Sequence, residues 1–306
     1  MKDRDHQPVL LEEAIEALMV SADGAYVDGT FGRGGHSTRI LDALSPSGTL
    51  LAFDRDPDAA EHAATVSSLD QRFSFAADNF SQLEQWVEPD SLSGVLLDLG
   101  VSSPQLDNPL RGFSFSHDGP LDMRMDTRQG QSAATWIAGA SEREMVAVFR
   151  DLGEERFARR IASAIVREQA ISPIETTGRL AEIVSAANPK WEQHKHPATR
   201  VFQAIRLHIN GELESLQALL QSVVSRLSVG GRLVVISFHS LEDRLVKRFM
   251  RDASRGRQIP AGVPIRHQDS GASLRLIGKT IRPSASEVAR NPRSRSAVMR
   301  VAEKIA

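Results

Sequence analysis

The chain contains no cysteine. That absence removes disulfides, thiolate zinc sites, iron-sulfur clusters and every mechanism that starts from a cysteine nucleophile. It also lacks any stretch near the roughly 18 uncharged apolar residues that a membrane span needs. Met1-Lys-Asp-Arg-Asp-His6 has none of the apolar core of a secretory signal. The expected compartment is the cytoplasm. What the chain does have is 306 residues, 41% of them hydrophobic and 25% charged, enough to bury a full core in one large or two ordinary domains.

The net charge of -2 conceals an asymmetry. Residues 244–306 hold 15 basic and 4 acidic side chains, against 22 basic and 35 acidic in the first 243. The basic end, with Arg282, Arg290, Arg293 and Arg295 clustered, suits contact with a polyanion, and equally a solvated arginine-rich surface.

From the start to about Gly100, short apolar runs alternate with amphipathic segments, which predicts strand-helix units and a mainly parallel sheet. Strands are expected at 24–28, 49–54, 73–76 and 94–100. Asp56 is placed to cap a helix whose first turn holds Pro57. Between about Ser103 and Arg128, Pro104, Pro109, Gly112, Gly119 and Pro120 predict a long ordered loop over a site. Ser141-Glu-Arg-Glu144 fits a capping box that opens a long amphipathic run through Phe149, Phe157, Ile161 and Ile165. Further helices are expected near 180–187 and through Val201, Ile205 and Ile209, and the sheet resumes at 231–237. This rhythm implies a sheet domain at 1–109 and 201–306, interrupted by a helical domain at 110–200.

Asp28-Gly-Thr-Phe-Gly-Arg-Gly-Gly-His36 sits between the first strand and a helix, where glycines permit a tight turn and close approach of a ligand to backbone N–H groups. A dinucleotide fingerprint would carry a third glycine where this chain has Ser37. Asp28, at the strand end, is placed to attract an amino group or a sulfonium rather than a pyrophosphate, which favours S-adenosylmethionine over NAD. Asp54 ends the second strand and suits two ribose hydroxyls, or a plain turn. Phe80, after the third strand, fits an adenine face or the core. Asp98 ends an apolar strand and is followed by Gly-Val-Ser-Ser-Pro-Gln105, where open α/β sheets present reactive groups.

In these motifs the chain resembles the bacterial 16S ribosomal RNA cytosine-N4 methyltransferases. The resemblance runs through His6-Gln-Pro-Val-Leu-Leu-Glu12, the glycine turn, Asp54-Arg-Asp56, Leu97-Asp-Leu-Gly-Val-Ser-Ser-Pro-Gln105, Arg111-Gly-Phe-Ser-Phe115 and Asp118-Gly-Pro-Leu-Asp-Met-Arg-Met-Asp126. It continues in Arg200-Val-Phe-Gln-Ala-Ile-Arg206, Ile236-Ser-Phe-His-Ser-Leu-Glu-Asp243 and Asn291-Pro-Arg-Ser-Arg-Ser296. It implies a class I, Rossmann-like α/β methyltransferase sheet with an inserted helical domain. It further implies the cofactor S-adenosylmethionine and a target cytidine in the decoding region of 16S rRNA, within the small ribosomal subunit or an assembly intermediate. Carried over by motif, the cofactor contacts are Gly34, Gly35, His36, Asp54, Phe80, Asp98 and Gln105.

Cytosine N4 is a poor nucleophile because its lone pair is delocalised into the ring. The site should therefore accept a hydrogen bond from the amine and offer its proton a route out. Asp98, or an oxygen of the turn through Ser102 and Ser103, suits that role. Methylation at cytosine C5 by the usual route needs a thiolate, which this chain cannot supply. His239 fits contact with the base or a phosphate, while Ser240 and Asp243 fit a helix start. Asp122, Arg124 and Asp126 fit a lid, an RNA contact, or pairing with one another. His194 and His196 flank Lys195 without a carboxylate-histidine pattern, so a solvated turn or an RNA contact is expected and no metal site. Two rival readings remain: an NAD-dependent oxidoreductase, resting on the strand-turn-helix and Asp54, and a non-catalytic ribosome-assembly factor, resting on the basic end.

Overall fold

Short β-branched and aromatic runs bounded by glycine or acidic turns form the first four strands, β1 Ala25–Asp28, β2 Thr49–Phe53, β3 Phe73–Ala76 and β4 Leu92–Asp98. Helices α1 Leu11–Leu18, α2 Gly35–Ala43, α3 Pro57–Leu69 and α4 Leu83–Trp86 lie between or before them. The Asp56 carboxylate accepts the Asp58 N–H at 3.0 Å and Pro57 opens α3, as the sequence predicts. The computed structural model describes residues 8–190, 196–256 and 271–306. His6, Gln7, His194, Lys195 and part of the basic end lie outside the described residues. The chain divides into two compact units, Met1–Gly100 with Leu213–Ala306, and Val101–Glu212.

The second unit is helical: α5 Ser103–Asp107, α6 Ala133–Gly139, α7 Glu142–Asp151, α8 Ala158–Ile171, α9 Thr177–Ala187 and α10 Thr199–Asn210. Trp136, Phe149, Ile161, Ile165, Val184, Phe202 and Ile205 fill one core that belongs to this unit alone. Three expectations change here. The stretch after Ser102 is not loop throughout, because Ser102 and Gln105 close a capping box that starts α5. Ser141 does cap α7, accepting the Glu144 N–H at 3.2 Å, but the Glu144 carboxylate turns away to the Trp136 indole N–H at 3.3 Å. The long run through Phe149 and Ile165 is two helices, because Gly153 sits so close to the Arg200 and Phe149 carbonyls that a Cβ would meet them at 2.6 and 2.7 Å, and Glu154 has φ +50°. The loop ahead of α6 is pinned by Asn210, which accepts the Met125 N–H at 2.8 Å and donates to the Met123 carbonyl at 2.7 Å. Its charged residues pair locally, Arg124 with Asp122 and Arg128 with Asp126.

After α11 Glu212–Arg226 the sheet resumes with β5 Leu227–Ser237, four residues earlier than the apolar run alone indicates. It is followed by α12 Ser240–Arg255, β6 Leu274–Leu276, α13 Ala285–Arg290 and β7 Val298–Lys304. The strand order is β3-β2-β1-β4-β5-β7-β6. The first five strands run parallel, with Val27 opposite both Leu51 and Val95 and Asp98 opposite Ile236. β7 is antiparallel to β5 and to β6. Alternate residues face two separate cores: Tyr26, Leu96, Val234 and Ile236 one, Val27, Leu97, Leu233 and Val235 the other. Burial on both faces explains why these strands read as continuous apolar runs, each buried side chain contributing about 1.5–3 kcal/mol. The connections reverse direction between β1 and β4, and there the carboxyl ends of a parallel sheet leave a crevice.

Candidate active site

β1 ends at Asp28, whose carboxylate is buried. One oxygen accepts the Thr30 N–H at 3.0 Å and the other accepts the Ser37 hydroxyl at 2.6 Å. These bonds make Asp28 an internal brace, tying the glycine turn to the first turn of α2. The turn is further fixed by N–H bonds from Gly29 to Leu96 at 2.9 Å, Phe31 to Phe53 at 3.0 Å and Gly34 to Phe31 at 2.7 Å. Gly34 sits at φ +77°, and a Cβ there would come 2.8 Å from the Phe31 ring. Glycine is required on both counts.

The turn delivers His36 into the sheet edge, buried, with Nδ1 3.6 Å from an Asp98 oxygen. Burial pushes its pKa below the usual histidine value, against the pull of the Asp28 charge and a hydrogen bond to the Val9 backbone. Asp98 is the counterpart. Burial first, then the negative charges of Asp28 and Glu242, raise its pKa well above the carboxylate range. Among the described residues, neither His36 Nε2 nor the second Asp98 oxygen has a hydrogen-bond partner, and both are shut off from water. Unsatisfied buried polar atoms are rare and each costs about 1–3 kcal/mol, so a pair of them beside the end of β4 is suited to a ligand.

Asp54 braces the other side of the turn, accepting N–H bonds from Gly32 at 2.8 Å and Asp56 at 2.9 Å. Burial outweighs those bonds and lifts its pKa to about 6, with the Asp56 and Asp28 charges adding to the rise. Two of its lone-pair positions are used and the rest can take hydroxyl donors. Phe80 begins a short 3-10 helix after β3 and is half-buried, its Cβ within 3.2 Å of where a Gly29 Cβ would stand. The first unit therefore assembles Gly34, Gly35, His36, Asp54, Phe80 and Asp98 around one turn. Ser102, Ser103 and Gln105 belong to the second unit. There the Ser102 N–H donates to the Gln105 side-chain oxygen at 2.8 Å, and Ser103 and Gln105 are buried. His196, in the same unit, stacks on Phe115 with centroids 4.4 Å apart.

Sequence reasoning missed Glu242. It is buried on the first turn of α12, and one oxygen accepts the Phe238 and His239 N–H groups at 2.9 and 3.4 Å. The signal was present, a glutamate three residues after a helix cap, but the cap is His239, a residue type seldom found there.

The sequence model of the MraW methylase family matches residues 3–305. The ribosomal RNA small subunit methyltransferase H of Chromohalobacter salexigens is 58% identical over 308 aligned residues, covering 99% of this chain and 92% of the relative. The protein of the same name from Thioalkalivibrio sulfidiphilus is 56% identical, covering 98% of each chain. That from Legionella pneumophila strain Paris is 54% identical, covering 98% of this chain and 99% of the relative.

Proposed function

Because the chain belongs to the MraW methylase family, we propose that it transfers the methyl group of S-adenosylmethionine to the exocyclic N4 amine of a cytidine in the decoding region of 16S rRNA. The substrate form is the small ribosomal subunit or an assembly intermediate, and the compartment is the cytoplasm. Family membership makes the protein a methyltransferase with a Rossmann-like, mainly parallel class I sheet, and sets aside the oxidoreductase and non-catalytic readings.

The residues present fit the cofactor. The observation that carries this is the buried pair of unpartnered atoms, Asp98 Oδ1 and His36 Nε2, beside a glycine turn whose Gly32 stands in open space. When bound, S-adenosylmethionine supplies an electrophilic methyl group on a cationic sulfur. Gly34, Gly35 and His36 line its path, Asp54 accepts its ribose hydroxyls, Phe80 backs the adenine, and Asp98 provides negative charge for its cationic portion. As their motif implies, Gln105 contacts the cofactor and Ser102 and Ser103 serve the catalytic step. Asp98 or an oxygen of the 101–103 turn accepts a hydrogen bond from the N4 amine and localises its lone pair. A duplex base cannot reach such a donor, so the cytidine is single-stranded or unstacked.

Exposed Arg244, Lys247, Arg248, Arg251 and Arg255 form a cationic stripe on α12 that suits phosphates. No helix among the described residues is long and apolar enough to cross a membrane. Mass spectrometry of ribosomal RNA from cells lacking the protein should show one 16S cytidine without its N4 methyl group. An unchanged modification map would refute the substrate. Calorimetry should show binding of S-adenosylhomocysteine and none of NAD.

A further inference from the structure

We propose that His239, backed by Glu242, takes up the proton that leaves the cytidine N4 amine. The inference rests on the functional reading above and extends it to the acceptor half of the reaction.

Nδ1 of His239 is shut off from water and has no hydrogen-bond partner among the described residues. Buried ring nitrogens are seldom left so. Nε2 lies 3.1 Å from one Glu242 oxygen. The other Glu242 oxygen is anchored by the Phe238 and His239 N–H groups, so the carboxylate cannot swing away. A fixed carboxylate beside one nitrogen places the ring hydrogen on that nitrogen and stabilises the imidazolium once it forms. Nδ1 is left as the base.

The position suits the task. Asp98 stands opposite Ile236 across β4 and β5, so His239 follows three residues later at the same carboxyl edge of the sheet. Glu242 is near enough for its charge to be felt at Asp98. Glu242, on its own helix, faces the ring, while at the neighbouring strand end Asp98 lies against His36 and feels the charges of Asp28 and Glu242. A division of labour follows. Asp98 can hold a cationic ligand only while it is ionised, and a proton accepted there would cancel the charge. A separate base removes that conflict.

In balance, the N4 lone pair forms the new N–C bond while the C–S bond breaks and its electron pair stays on sulfur, leaving a neutral thioether. The methylated amine, now cationic, passes one proton to Nδ1 of His239. The imidazolium, held by Glu242, releases that proton to water after the product leaves, and the neutral ring is restored.

The test uses the full chain with small ribosomal subunits in single-turnover assays, comparing wild type with His239→Asn, His239→Ala and Glu242→Gln. Asparagine is a strong helix cap but no base at neutral pH, so it keeps a structural role and deletes the chemical one. His239→Asn should bind S-adenosylhomocysteine as wild type does in calorimetry, and its rate should fall by about 10²-fold, the low end for general-base catalysis. Added imidazole should restore part of the rate to His239→Ala, and Glu242→Gln should be slowed in the same sense. A His239→Asn rate within about threefold of wild type, or no imidazole rescue in His239→Ala, overturns the inference. If wild type itself places no methyl group on a cytidine N4, the functional reading falls with it. If wild type does and His239→Asn matches it, this inference alone fails.

Discussion

Burial and the nearby negative charges raise the Asp98 pKa above that of its unfolded counterpart, and this fixes the sign of its pH effect. A carboxyl group whose pKa is raised on folding weakens the fold as pH climbs above the unfolded value near 3.8, because the folded state binds the extra proton. In ligand-free protein, Asp98→Asn should therefore gain stability relative to wild type as pH rises from about 4 to 7, read from urea denaturation. A constant difference across that range would remove the argument. Binding of S-adenosylmethionine, a cation, should pull the Asp98 pKa back down, visible as buffer-dependent heats in calorimetry. Gly34→Ala should cost about 1–2 kcal/mol, since it forces a side chain into left-handed backbone and into the Phe31 ring. It should also weaken S-adenosylhomocysteine binding, and an unchanged melting temperature and affinity would contradict this. Strand-end acids and turn glycines are legible in sequence because their chemistry depends on local spacing. The use of Asp28 was not, because it depends on Ser37 rotating back onto it from the next helix.

Elements were legible where sequence and burial agree. β1, β2 and β4 stand out because most of their residues are buried, and β3 because Phe73 and Ala76 are, with glycine, proline or acidic turns bounding them. β7 does not: it is largely buried, but Arg300, Glu303 and Lys304 break its apolar run, and its antiparallel pairing to β5 leaves no turn signal between them. The break between α7 and α8 escaped because Phe149 and Ile165 keep helical spacing across it, while the conformation at Gly153 and Glu154 is set by a carbonyl of α10. For α12, the exposed stripe leads to a measurable expectation. Lys247→Glu with Arg248→Glu should weaken RNA binding uniformly across sequences and flatten its dependence on salt by about one counterion for each phosphate no longer neutralised. The rate at saturating RNA should stay unchanged. An identical salt slope would show that α12 does not meet the phosphates.

At the scale of the molecule, the second unit is a continuous segment with its own core, whereas the first draws on two distant stretches of chain. Residues 101–212 expressed alone should therefore give a helical spectrum and a cooperative melt, and a structureless or gradual one would show that the core needs more. Asn210→Ala, which frees the Met123 carbonyl and Met125 N–H, should lower that melt by about 1–3 kcal/mol of lost stability. The sequence suggested a helical interruption of the sheet, and its limits were harder to read because Ser102 and Glu212 begin helices without any change in composition. The strand order has a consequence for the protein's birth. β7 lies between β5 and β6, with Met299 opposite Ile236 and Ala302 opposite Leu276. While a ribosome is still making residues 298–304, β5 has a bare edge and β6 has no neighbour. Translation at about 5–20 residues per second leaves that edge open for about a second or more. A chain abandoned before residue 298 retains a template for aggregation, so only a finished translation product closes the sheet that holds Asp28, Asp98 and His239.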